Sequence, residues 1–133
     1  MGELIPFVTV DNCLEAIEFY KEVFGAELQE GITMLENVPG MEKYKGRVGH
    51  ATLIFGNNRI FINDALEDYP LKKGDRIQFV LDLESEDALT KAFEKLVNSG
   101  ELIEDLQEVF WGALFGTVKD KYGVTWQVYY GHK

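Results

Sequence analysis

Two segments of the chain carry apolar residues at every third or fourth position, which is the spacing of one buried face of an α-helix. In residues 12–24 this stripe consists of Cys13, Ala16, Ile17, Tyr20, Val23 and Phe24. In residues 86–98 it consists of Leu89, Ala92, Phe93, Leu96 and Val97. Asn12 and Ser85 are suited to cap the helix starts, and Gly25 is suited to end the first helix. The pattern therefore predicts two amphipathic helices.

Runs rich in apolar and β-branched residues flank each predicted helix and indicate β-strands. Around the first helix they are residues 5–10, 26–34, 50–55 and 59–64. Around the second helix they are residues 76–83, 101–106, 113–119 and 124–130. The sequence Gly56-Asn57-Asn58 is typical of a tight hairpin turn. Before the last strand, a turn that ends at Gly123 is expected to need a positive φ at that glycine.

The order strand, helix, strand, strand, strand thus occurs twice, which makes the chain an internal repeat. A polar stretch with Pro70 and Gly74, residues 67–75, separates the two copies. We therefore predict an α+β fold in one domain, residues 1–133, built from two βαβββ modules at 1–66 and 75–133. Each helix covers one face of its sheet, and the remaining faces are expected to form a shared concavity for a small ligand.

Length and charge narrow the classes of partner. A chain of 133 residues supports one compact core. The net charge of −10 and the scattered Lys and Arg residues disfavour binding to nucleic acid or to an anionic membrane. No apolar run approaches the length of a membrane-spanning helix, and the first residues lack the pattern of a signal peptide. We predict a cytoplasmic protein that has neither nucleic acid nor a membrane as partner.

Several chemistries lack their sequence motifs. The chain has no Gly-rich phosphate loop, no Gly-x-Gly-x-x-Gly motif for a dinucleotide or a methyl donor, and no Gly-x-Ser-x-Gly nucleophile motif. Its single cysteine, Cys13, cannot form an internal disulfide and is expected to be a small buried apolar residue. The sequence identifies no cofactor.

His50 and Asp64 are the candidate catalytic residues. His50 begins a predicted strand, whereas His132, the other histidine, lies at the end of the chain. Asp64 ends the next strand, and a carboxylate near an imidazole can orient the ring or tune its pKa. Both residues also have a purely structural interpretation: His50 as a hydrogen-bonded residue at a strand end, and Asp64 as a residue that turns the chain.

Aromatic residues are concentrated near the C-terminus. Alternation along the last strand places Thr125, Gln127 and Tyr129 on one face and the other residues, among them Trp126 and Val128, on the opposite face. The first set is more polar and is the better candidate for a pocket, while Trp126 and Val128 are predicted to lie in the core. We take Trp111, Gln127 and Tyr129 as candidate ligand-binding residues, with ordinary core packing as the alternative for each aromatic side chain.

The two modules resemble the vicinal oxygen chelate superfamily, which includes glyoxalase I, extradiol dioxygenases and the fosfomycin and bleomycin resistance proteins. Short motifs in the expected order are similar to its PhnB-like branch and cover nearly the whole chain. They are Asp11-Asn-Cys-Leu-Glu-Ala-Ile-Glu-Phe-Tyr20, Phe24-Gly25, Gly49-His-Ala51, Ile62-Asn-Asp-Ala65, Phe110-Trp-Gly112, Phe115-Gly116 and Asp120-Lys-Tyr-Gly-Val-Thr-Trp126.

The resemblance implies a homodimer, and in the metal-dependent members it implies a divalent ion held by His, Gln or Glu side chains from the first and last strands of each module. Gln127 stands where glyoxalase I has Glu. The first strand offers no His, and the strand that opens the second module offers Gln78 or Arg76, depending on the alignment. A complete set of metal ligands cannot be assembled from these positions.

Three functions remain open. The first is binding of a small hydrophobic or aromatic molecule without a complete metal site, and it is the interpretation that we favour. The alternative is a divalent-metal-dependent lyase or dioxygenase of the glyoxalase type that uses His50, Asp64 and Gln127. The third is a structural or regulatory dimer without a ligand.

Overall fold

The computed structural model describes residues 2–108 and 112–131, and it contains two helices and nine strands within them. In chain order these are β1 Phe7–Val10, α1 Cys13–Phe24, β2 Glu27–Leu28, β3 Thr33–Met34, β4 Val48–Phe55, β5 Asn58–Asp64, β6 Phe79–Asp82, α2 Glu86–Ser99, β7 Glu101–Glu108, β8 Leu114–Lys119 and β9 Thr125–Tyr130. A 3-10 turn, Leu35–Asn37, follows β3. The predicted α+β class with repeated strand and helix modules is confirmed.

The chain divides into two compact units, Met1–Lys72 and Lys73–Lys133. The boundary lies within the polar stretch that separates the two predicted modules. Each unit contains one helix and one mixed sheet.

In the first unit the strand order is β1-β5-β4-β2, with β3 also paired to β4. β1 is parallel to β5, and β4 and β5 form an antiparallel hairpin in which Phe55 is opposite Asn58 and Thr52 is opposite Phe61. The core of this unit combines the buried stripe of α1 with apolar side chains from the strands. Its fully buried members include Val10, Ile17, Leu53 and Ile62.

In the second unit the strand order is β6-β9-β8-β7, with β6 parallel to β9 and the other pairs antiparallel. Trp126 and Val128 of β9 are buried, as predicted, and Gly116 of β8 lies against the Phe93 ring of α2. These contacts identify the face of the second sheet that α2 covers. Because side chains alternate along a strand, Thr117 and Gln127 lie on the opposite face.

The predicted helix signals are confirmed in detail. The Asn12 side chain accepts a hydrogen bond from Glu15 N at the start of α1, and the Ser85 side chain accepts one from Ala88 N at the start of α2. Gly25 ends α1 in the left-handed conformation, with φ 69°. Among the described residues, no helix combines the length and the apolar character needed to cross a membrane.

The predicted strand over residues 26–34 is wrong as a continuous element. The structure has two strands of two residues each, β2 and β3, separated by residues 29–32. Gly31 adopts a φ of 71° between them, a left-handed conformation that interrupts an extended strand. The Glu30-Gly31 pair thus turns the chain within a segment that its apolar residues predicted to be one strand.

Cys13 is fully buried at the first position of α1. Burial raises the pKa of its thiol to about 12, and the nearby Asp64 carboxylate adds to the rise. A thiol reacts as its thiolate, so this environment suppresses reactivity. The predicted role as a small buried apolar residue is confirmed.

Native protein at pH 8 is therefore expected to react with a disulfide reagent such as dithionitrobenzoate at least about 1,000-fold more slowly than a free thiol, because about 1 in 10,000 of the Cys13 side chains is ionised. Absorbance of the released thiolate measures the reaction. After unfolding in guanidinium chloride, one equivalent should react rapidly, since the chain has one cysteine. Fast labelling of the native protein would contradict the buried environment.

Candidate functional site

Three rings and a threonine form a cluster on the face of the first sheet that α1 does not cover. The His50 ring lies edge-on to Phe61, with 4.5 Å between ring centroids, and Phe7 lies edge-on to both, at 6.2 Å from His50 and 6.0 Å from Phe61. His50 Nε2 is 3.2 Å from Thr52 Oγ1. We call Phe7, His50, Thr52 and Phe61 the aromatic face.

The register of the strands explains why these side chains meet. Thr52 of β4 is directly opposite Phe61 of β5, and Phe61 is the parallel partner of Phe7 in β1. His50 is two residues from Thr52 and therefore shares its face. Phe7 is 55% exposed, so a large apolar ring lies open to solvent next to the imidazole.

Polar groups at the edge of the aromatic face are paired with other residues. Thr9 Oγ1 donates to Asn63 Oδ1 at 2.8 Å. The Arg59 guanidinium lies over the Phe61 ring, 5.5 Å from its centroid, and is held there by a two-pronged ion pair with Glu3. The face therefore combines exposed aromatic surface with a cation whose charge is matched within the protein.

Asp64 lies on the opposite side of the same sheet from His50. Its two carboxylate oxygens accept hydrogen bonds from Cys13 N and Val48 N, each at 2.7 Å, and the side chain is only 4% exposed. Arg47 Nη1 lies 3.9 Å from the carboxylate. Asp64 thus fastens the start of α1 to the start of β4, and the structure does not bring it together with His50. This geometry agrees with the structural interpretation of Asp64.

In the second unit, the candidates Gln127 and Tyr129 lie together on the face that α2 does not cover. Thr125, Gln127 and Tyr129 of β9 share this face with Thr117 of β8, and we call these four residues the polar face. Gln127 Nε2 donates at 2.7 Å to Oε1 of Gln78, the residue that directly precedes β6. Trp111, the remaining candidate, lies outside the described residues.

The turn before β9 is organised by a buried carboxylate that the sequence did not single out. Asp120 Oδ1 accepts hydrogen bonds from Tyr122 N and Val124 N, and Oδ2 accepts one from the indole Nε1 of Trp126 at 2.8 Å. Gly123 has the predicted positive φ, 88°. Asp120 therefore fixes both the turn and the strand position from which Gln127 projects.

A family model, the Glyoxalase/Bleomycin resistance protein/Dioxygenase superfamily, matches residues 5–128. The chain belongs to this superfamily. Protein YjdN of Escherichia coli is 31% identical over 139 residues, which cover 94% of this chain and 92% of YjdN.

Solved structures support the PhnB-like branch within the superfamily. Protein PA1353 from Pseudomonas aeruginosa superposes with a TM-score of 0.87 at 25% identity, over all of both chains. The PhnB protein from Bacillus cereus, named as a candidate 3-demethylubiquinone-9 3-methyltransferase, has a TM-score of 0.80 at 25% identity, over 98% of this chain and all of its own. The resemblance stated from the sequence motifs is confirmed.

The side chains that the structure describes do not fit the metal centre of glyoxalase-type superfamily members. The described residues contain no cluster of three His, Cys, Asp or Glu side chains that could hold an ion. The Asp64 oxygens already accept backbone hydrogen bonds, and the Gln127 amide is paired with Gln78. His50 lies against the Phe7 and Phe61 rings and the Thr52 hydroxyl.

A polar recess of about 190 Å³ in the first unit is a further possible ligand site. It is lined by Lys43, Tyr44, Lys45, Arg47, Glu67 and Asp68. Asp68 accepts hydrogen bonds from the Tyr44 hydroxyl at 2.7 Å and from Lys43 Nζ at 3.3 Å. The hydrogen bond between Tyr44 and Asp68 raises the pKa of the Tyr44 hydroxyl and lowers the pKa of the Asp68 carboxyl group. Because much of this charge is matched internally, we favour the sheet faces as the ligand surface.

Sequence analysis missed Phe7 and Phe61 as members of the site. A signal for Phe61 was available, because the two-residue turn after Phe55 fixes the register of the hairpin. That register pairs residue 52 with residue 61 and places Phe61 beside His50. Phe7 has no comparable local signal, since its position depends on parallel pairing with a strand 54 residues away in sequence.

Proposed function

We propose that this superfamily member binds a small, uncharged aromatic molecule on the aromatic face, without a complete metal site. The observation that carries the proposal is the exposed Phe7 ring, which lies edge-on to His50 and Phe61. Clustered rings with one exposed member offer large apolar contact area and specific edge and face geometry for another ring.

The charge of the protein supports an uncharged ligand. The chain carries a net charge of −10, which disfavours anions in general. Arg59, which lies over the Phe61 ring, is engaged by Glu3, and this contact raises the pKa of Arg59 and lowers that of Glu3. The hydroxyl of Thr52 and the imidazole of His50 remain as polar groups that can orient a ligand.

The alternative function, a divalent-metal lyase or dioxygenase, has weaker support because Asp64 lies on the other side of the sheet from His50 and the Gln127 amide is paired with Gln78. Methyl transfer, named for the Bacillus cereus relative, also has weaker support, since the sequence lacks a Gly-x-Gly-x-x-Gly motif. Near-stoichiometric metal in protein purified without chelators, with a rise in melting temperature on adding nickel, zinc, manganese or iron(II), would favour the metal enzyme. The homodimer and the cytoplasmic location stay predictions.

Titration with 2-naphthol, a flat uncharged aromatic compound, tests the proposed function. We expect saturable binding to the wild-type protein, followed by isothermal titration calorimetry. Phe7→Ala is expected to weaken binding about 10-fold, because it removes an aromatic contact worth roughly 1–1.5 kcal/mol. The exposure of Phe7 keeps the cost to folding small.

Leu14→Ala is the matched control, since Leu14 is 45% exposed but projects from α1. It should leave the affinity for 2-naphthol unchanged. Absence of saturable binding to the wild-type protein would refute the proposed function. Equal affinities of the wild type and Phe7→Ala would exclude the aromatic face as the binding surface.

A further inference from the structure

We infer that Thr117 and Gln127, on the polar face of the second sheet, form a hydrogen-bonding site for an uncharged hydroxyl or amide group. This inference goes beyond the proposed function, because it assigns a recognition chemistry to the second unit and does not depend on Phe7. It rests on an unpaired buried hydroxyl and on the amide directly across from it.

Thr117 supplies the first observation. Its side chain is 3% exposed, and Oγ1 has no hydrogen-bond partner among the residues that the structure describes. Within residues 2–108 and 112–131, Thr117 Oγ1 is the only buried side-chain oxygen without a hydrogen-bond partner. Buried hydroxyls in folded proteins nearly always have a partner, and an unpaired one is unfavourable for folding. A partner supplied from outside the chain would explain why a hydroxyl is kept at this position.

The position of Thr117 supplies the second observation. Thr117 and Gln127 are direct partners in the antiparallel pairing of β8 and β9. Directly opposite residues share a face and have Cβ atoms about 4.5–5.5 Å apart. A ligand group bound to the Gln127 amide is therefore within reach of Thr117 Oγ1.

The Gln127–Gln78 contact determines which atoms this site offers. Gln127 uses one N–H of Nε2 to donate to Gln78 Oε1, which leaves its own Oε1 and the second N–H for other partners. Gln78 in turn donates from Nε2 to Asp75 O at 3.4 Å. Thr117 adds one donor and acceptor lone pairs. With the second N–H of Gln127 Nε2, the pair thus offers two donors and several acceptors without any charge.

This set of atoms selects the chemical class of the ligand group. A hydroxyl or an amide can donate to Gln127 Oε1 and accept from the Thr117 hydroxyl at the same time. A carboxylate or phosphate only accepts, so it cannot donate to Gln127 Oε1, and neither Thr117 nor Gln127 carries a positive charge to balance its own. The site therefore favours an uncharged group that both donates and accepts.

The test follows the γ-methyl resonance of Thr117 by NMR during titration with 2-naphthol and, in parallel, with 2-methylnaphthalene. The second compound replaces the hydroxyl by a methyl group of similar size. We expect 2-naphthol to shift the Thr117 signal in a saturable manner and 2-methylnaphthalene to bind at least about 10-fold more weakly. Calorimetry on Thr117→Val should show that the preference for the hydroxyl is lost, whereas Thr117→Ser should retain it.

A stability measurement separates this site from a purely structural hydroxyl. Thr117→Val removes an unpaired polar atom and keeps the shape, so the ligand-free variant should be as stable as the wild type or more stable. A clear loss of stability would show that an internal partner or an ordered water already satisfies Oγ1, and it would overturn the inference. Unchanged preference for 2-naphthol in Thr117→Val, or no shift of the Thr117 signal, would also overturn it. Both results leave binding at Phe7 intact, so the two proposals can fail separately.

Discussion

Replacement of Asp64 by alanine is expected to lower the free energy of unfolding by about 3–5 kcal/mol. The carboxylate is buried and accepts hydrogen bonds from Cys13 N and Val48 N, each at 2.7 Å. Alanine would leave both backbone N–H groups buried without a partner and would remove a negative charge from the N-terminus of α1. Urea denaturation followed by circular dichroism measures the loss.

Two further variants make the interpretation of Asp64 specific. Asp64→Asn keeps one carbonyl oxygen at the site and should lose about half as much stability as Asp64→Ala. Asp11→Ala, in the exposed turn before α1, is the matched control and should change stability by less than about 0.5 kcal/mol. If Asp64 served catalysis alone, the free energy of unfolding of Asp64→Ala would be close to that of the wild type.

The separation of His50 from Asp64 could have been predicted from the sequence. The Gly56-Asn57 turn indicates a two-residue hairpin loop, and such a loop pairs residues whose numbers add up to 113. His50 then lies opposite Asn63, not Asp64, and the period of two along a strand places Asp64 on the other face. The prediction placed Asp64 near His50 because both lie in one hairpin, but it did not use the register of that hairpin. A shift of one residue in the register moves a side chain to the other face of the sheet.

The two helices were predicted closely because each depends on local information. Asn12, Ser85 and the apolar stripes act within a few residues of one another, and they predicted both the caps and the buried faces. The Thr117 environment could not be predicted in this way. Whether a hydroxyl finds a partner depends on every side chain around it, and those on the neighbouring strands β7 and β9 count as much as those on its own strand.

Replacement of Asp120 by alanine is expected to destabilise the protein by about 3–4 kcal/mol, because three donors lose their acceptor. The two backbone donors, Tyr122 N and Val124 N, hold the turn, and the indole of Trp126 anchors the core side of β9. Asp120 is 3% exposed, so water does not readily replace the carboxylate. Urea denaturation measures the change, and near-ultraviolet circular dichroism reports on the indole.

A double-mutant cycle distinguishes the indole contact from the turn contacts. Asp120→Asn keeps an acceptor for the turn but presents an NH₂ group toward the Trp126 indole, and Trp126→Phe removes the indole N–H. If Oδ2 of Asp120 holds the indole, the two changes should couple by about 1–2 kcal/mol, since each removes the same hydrogen bond. Additive effects within about 0.5 kcal/mol would show that the indole contact contributes nothing and that Asp120 stabilises the turn alone. The position of Gln127 in β9 would then depend on the turn rather than on the buried indole.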